Sequence, residues 1–161
     1  VQSLCLMIAR ISLAGWVGAA ALYVVTSIRE QVSPVFDSTI KNTLATTRFP
    51  AYYAFGFTLV IVAIACLFVA RNHRSLSKLR SRIALALLIS ALMLMIADYI
   101  WIYQPLVEMI TPADRAAHPD FQVYHIASKH INELDLTLCF AAAASICFTA
   151  GTTPGTQSDD A

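Results

Sequence analysis

From Ala51 to Ala70, twenty consecutive residues carry no charged side chain. A run of that length has few ways to fold. A bilayer core about 30 Å thick is crossed by about 20 helical residues. Backbone groups in lipid must bond within their own segment, which makes helix the form. Three further stretches fit the same reading. The first covers about residues 4–28 and is broken only by Arg10 and small polar residues. Another covers 83–103 and holds one charge, Asp98. The last is a helix over 119–150 whose span starts at about 131, with Glu133 and Asp135 in the first turns of that span. Barrel strands would be about ten residues long with strict alternation, and no segment shows it. The expected fold is all-α: a four-helix transmembrane bundle in one domain over 1–150. Residues 151–161 are expected to form a flexible polar tail.

The punctuation agrees with these spans. Pro50 stands where the second helix is expected to start, a favoured site for proline, and Pro105 stands just past the third. Phe49, Tyr52 and Tyr53 mark one end of the second span, and Tyr99, Trp101 and Tyr103 mark one end of the third. Aromatic residues of this kind prefer the headgroup level, and both groups fall on the same side. The short connection between these spans holds Arg71, Arg74, Lys78, Arg80 and Arg82. By the positive-inside rule it faces the cytoplasm, so both termini are expected there. A bacterial inner membrane is the expected location. The basic connection reads first as this topology signal, and second as a patch for anionic headgroups or a partner.

Composition narrows the classes. Charged residues make up 13% of the chain, against about 25% in soluble domains. A net charge of +1 gives no basic field for nucleic acid, so no nucleic-acid partner is expected. Cys5, Cys66, Cys139 and Cys147 contain no C-x-x-C pair and lie in or beside apolar runs. They read as small buried hydrophobes. The first apolar run is too long for a signal peptide and no A-x-A pattern follows it, so no cleavable leader is expected.

Ionisable residues inside spans are the functional pointers in such a chain, because charge in lipid is costly. Counting along antiparallel spans, Asp98, Glu133 and Asp135 fall near one level, about one and a half turns below the outer end. Carboxylates brought close in low dielectric share a proton or hold a cation. The plain alternative is that they reach the interface, or pair with Arg29, Lys129 or His130. A helix from Pro119 would place Phe121, His125, Ser128, Asn132 and Cys139 on one stripe. That stripe either fixes the bundle by interhelical hydrogen bonds or lines a ligand site opening outward. The histidines offer no bis-histidine haem geometry, and a metal on His125, Asp98 and Asp135 is only weakly signalled. No cofactor and no metal are expected. Neither a nucleophile elbow, a zinc-protease helix nor a phosphate loop is present, so no enzyme activity is expected. Ala14 and Gly18, Gly15 and Ala19, and Ala141 and Ser145 are spaced for close helix contact.

Several of these positions also form a pattern. Trp16 and Gly18 begin it; Phe49, Pro50, Tyr52 and Tyr53 continue it; Tyr103 and Pro105 follow. The most specific part is Phe121, Tyr124, His125, Ser128 and Asn132. In this order, across roughly residues 10–150, the chain resembles the transmembrane protein 205-like family, small four-helix membrane proteins. It departs from that family at Ile126, where glycine is usual, and at Glu133 and Asp135, where apolar residues are usual. The resemblance implies the four-helix fold, no established enzymatic activity, and His125, Ser128 and Asn132 as a shared site.

The expected function is therefore a non-enzymatic integral membrane protein, a binding or interaction module with a polar site at the outer entrance of the fourth helix. His125 is its expected centre, with Ser128, Asn132 and Asp98 around it. Lipid and other membrane subunits, or a second copy of the chain, are the expected partners. Three alternatives stand beside it: an accessory subunit of a larger, energy-transducing complex that docks through Glu133 and Asp135; an oligomeric proton-coupled or cation transporter; and a haem or metal redox protein.

Overall fold

The computed structural model describes residues 1–113 and 118–148. The expected tail at 151–161, and residues 149–150 at the end of the fourth segment, lie outside the described residues. The described residues form four helices: α1 Gln2–Val32, α2 Ser38–Ala70, α3 Lys78–Met109 and α4 Phe121–Cys147. No strand occurs among the described residues.

Each helix is longer at one end than its apolar run. α2 starts at Ser38, not near Ala51, so Pro50 lies inside it. The polar stretch is helical because its start is capped: the Asp37 carboxylate accepts from the Ile40 N–H at 2.8 Å, satisfying one of the free donors of the first turn. Further along, Arg48 pairs with Glu30 of α1. α3 likewise runs past Pro105. Residues Tyr99–Tyr103 form a π-turn, in which the Gln104 N–H reaches back to the Tyr99 carbonyl. The wider turn carries the helix into a proline that removes the next donor. Ser77 caps the other end of α3 through the Arg80 N–H.

The helices run up and down in sequence order and close into a ring. α1 packs on α2, α2 on α3, α3 on α4, and α4 on α1. The start of α1 and the end of α4 therefore sit at the same end of the bundle: Arg10 donates to the Ile146 carbonyl at 3.0 and 2.7 Å. Arg80 donates to the Phe148 carbonyl at 2.6 Å. These two cations meet the negative end of α4.

The core is one inward stripe from each helix. Leu13 and Trp16 of α1, Val60 and Leu67 of α2, Leu88 and Met95 of α3, and Cys139 and Ile146 of α4 belong to it. Outward faces are just as apolar, with Leu22, Ile61, Phe68, Met93 and Phe140 exposed. A helix apolar all round suits lipid. α1, α2 and α3 are long and apolar enough to cross a membrane. α4, the shortest, is not among them, because its first half is polar.

The aromatic groups differ from the expected interface belt. Tyr53 is 2% exposed and meets Tyr99 edge-on at 5.1 Å and Tyr103 at a tilt at 4.9 Å. Tyr52 lies between Trp16 and Tyr23 of α1, at 5.0 and 4.5 Å. These rings glue helices to one another; Trp101, 71% exposed, faces outward. Of the small residues, Gly18 and Gly15 have open space or ordinary contact beside them, and Gly56 is the close approach instead.

Candidate functional site: a buried carboxylate pair

Asp98 is the polar centre of the bundle. It lies on the inward stripe of α3, one turn past Met95, and is 1% exposed. Its Oδ2 accepts from three side chains. Tyr53 of α2 donates its hydroxyl in a short bond. Asn132 of α4 donates Nδ2–H at 3.0 Å, and Ser128, one turn away, donates Oγ–H at 3.3 Å. Asn132 is itself held against the Ser128 carbonyl at 2.9 Å. The Tyr52 hydroxyl adds a weak bond, donating to the Asn132 amide oxygen at 3.4 Å. One carboxylate oxygen thus ties together three helices.

Asp135 lies one turn deeper along α4 and is 4% exposed. Its Oδ1 has no hydrogen-bond partner among the described residues, and neither has Oδ1 of Asp98. The Trp16 indole N–H approaches the Asp135 carboxylate without reaching hydrogen-bond geometry. Cys139 follows one turn on, fully buried. Among the described residues, no lysine, arginine or histidine acts on either carboxylate. Arg10 and Arg48, two of the half-buried cations, are engaged elsewhere, with the Ile146 carbonyl and with Glu30.

The expected site is therefore redrawn. Asp98, Ser128 and Asn132 come together; His125 does not join them. Its ring is exposed and stacks on Phe121 of its own helix at 5.7 Å and 9°. Glu133 also stands apart, on the outer face of α4 with Lys129 at 3.8 Å and His130 at 3.2 Å. The three carboxylates do not share one site: two are buried and one is exposed. Both helices run on past their apolar spans. Asp98 is eleven residues from the end of α3 and Asp135 fourteen from the start of α4, about 16 and 21 Å of helix.

Tyr53, Tyr52 and Trp16 are the members that sequence reasoning missed. Their signal was a tyrosine hydroxyl or indole N–H inside an apolar run, a group that needs a partner when buried. No group of three His, Cys, Asp or Glu side chains converges as a metal site among the described residues. Two clefts, of about 230 and 280 Å³, lie away from the pair. One is lined by Pro105, Glu108, Met109 and His118, the other by Tyr99, Tyr103, Gln104, Val107 and Glu108.

No protein-family model, curated protein or solved structure matches the chain.

Proposed function

We propose that the chain is a non-enzymatic membrane protein that crosses the bilayer four times and works as a binding or interaction module built around the Asp98 network. The observation that carries this reading is the seat of Asp98, 1% exposed and bonded from both α2 and α4. A buried carboxylate is tolerated in a membrane only inside a bundle, and two of the three donors come from α4. That supports a fourth crossing by the least apolar helix. With the basic 71–82 connection on the cytoplasmic side, both ends of the bundle chain are cytoplasmic. The resemblance of Phe121, Tyr124, His125, Ser128 and Asn132 to the transmembrane protein 205-like family supports the same architecture. Below Asp135 the interior turns apolar at Cys139, Ala142 and Ile146, which favours a closed binding centre over a through-path.

A second reading, an accessory subunit, is favoured by the exposed Lys129–His130–Glu133 strip on α4. Native mass spectrometry of the protein extracted from its own membranes in mild detergent tests both. A partner or second copy bound at fixed stoichiometry supports the module, and loss of that partner in Glu133→Ala selects the subunit reading. A bare chain with no bound mass overturns the interaction role.

A further inference from the structure

Two carboxyl groups sit in the interior of this bundle with no cation beside them among the described residues. An ionised pair in a low-dielectric interior is strongly unfavourable, and one member takes a proton or the site takes a cation. The groups that face the pair are few. α1 contributes Trp16, α2 contributes Tyr52 and Tyr53, and α4 contributes Ser128, Asn132 and Cys139; none of these is a cation. A cation needs several converging oxygens, and no group of three His, Cys, Asp or Glu side chains converges among the described residues. A proton needs a single oxygen.

The two carboxyls are unequal. Asp98 has three donors on one oxygen. Asp135 accepts no side-chain hydrogen bond among the described residues; its Oδ1 is unpartnered, as is that of Asp98, and the neighbouring indole N–H does not reach it. The geometry points to Asp135 as a proton-binding site beside the hydrogen-bonded Asp98. One proton from water adds to one carboxylate oxygen, and no other bond changes. Access is one-sided. Ser128 and Asn132 are half-buried and lead toward the polar start of α4. On the other side Cys139, Ala142 and Ile146 close the interior. The bundle is thus a proton well that samples the aqueous phase on the side of the α3–α4 connection.

This inference rests on α4 lying within the embedded bundle, which sidedness reporters test independently. The full chain in lipid nanodiscs is studied by infrared difference spectroscopy at neutral pH. The expected result is a carbonyl stretch of a protonated carboxyl that shifts in heavy water. It is lost in Asp135→Asn and retained in Asp37→Asn, which alters an exposed helix cap. Absence of the band in the unmodified chain, or its survival in Asp135→Asn, overturns the inference. So does loss of the band on adding sodium at fixed pH, which would mean a cation site. Should Asp135→Asn fail to fold, the unmodified chain is treated with dicyclohexylcarbodiimide, which attacks protonated carboxyls in apolar surroundings. Adduct at Asp135 is expected; adduct at Asp98 with Asp135 untouched overturns the assignment. Four crossings with no acid band would discard the proton and leave the module reading standing.

Discussion

Trp16 of α1 occupies the space that a side chain at Gly56 of α2 would need. A Cβ built at Gly56 would stand 2.5 Å from Trp16 Cη2 and 2.8 Å from Met95 Cε. The methionine tip can swing away, but the indole is held by Tyr52 at 5.0 Å. Gly56→Ala is therefore expected to destabilise the bundle by about 1–3 kcal/mol, the usual cost of overpacking. Gly18→Ala, with nothing within 4 Å of the new methyl, is expected to be near neutral. Thermal unfolding in one detergent reads both.

Tyr53→Phe removes one of the three donors on Asp98. A hydrogen bond to a charged acceptor contributes about 1.5–3 kcal/mol, while interhelical bonds in membranes average about 0.6. The expected loss lies between, about 1–2 kcal/mol. Tyr103→Phe removes a hydroxyl that makes no hydrogen bond among the described residues and keeps the ring contacts. It is expected to unfold with the unmodified chain. Equal losses for the two variants would show that the ring, not the hydroxyl, matters at position 53.

Arg10 carries two hydrogen bonds to the Ile146 carbonyl at the last turn of α4. Arg10→Gln removes the charge that faces the helix terminus. Amides in the closing turns of α4 are expected to exchange faster, by about tenfold if about 1.4 kcal/mol is lost locally. Amides around Asp135 should be unchanged. Hydrogen–deuterium exchange read by mass spectrometry separates the two regions.

Sidedness reporters decide the number of crossings. Reporters placed before Gln2, in the 71–77 connection and after Phe148 are expected on one side, the cytoplasmic one. Those in the 33–37 and 110–113 stretches are expected on the other. A chain whose α4 stays out of the bilayer would put its C-terminal reporter with the 110–113 stretch.

The helices were legible in the sequence wherever lipid had written them. Apolar runs locate the membrane-facing turns of α1, α2 and α3 because each outward residue must be apolar there. They say nothing about polar turns that continue a helix into water. Residues 38–50 are helical through the Asp37 cap and the Glu30–Arg48 pair, and Pro50 misleads because proline is read as a boundary. Of the site, Asp98, Ser128 and Asn132 were legible because polar groups in an apolar run must find partners. His125 shares their helical face by spacing, yet its ring lies along α4 against Phe121. Periodicity gives the side of a helix and not the direction a ring takes. Tyr53 and Trp16 were hidden because an amphipathic ring suits a membrane interface and a buried hydrogen bond equally well.

The π-turn at Tyr99–Tyr103 has one more effect, on the helical wheel. Along α3 the inward residues are Leu88, Ala91, Met95 and Asp98, at steps of three and four. The next is Tyr103, a step of five. In a regular helix that step would turn Tyr103 about 140° away from Asp98; the widened turn brings it back and sends Trp101 outward. The turn absorbs a whole extra residue. Deleting one position among 100–102 would restore ordinary spacing with Asp98 and Tyr103 still facing inward. It is a place where the chain can change length by one without rolling a buried face into lipid.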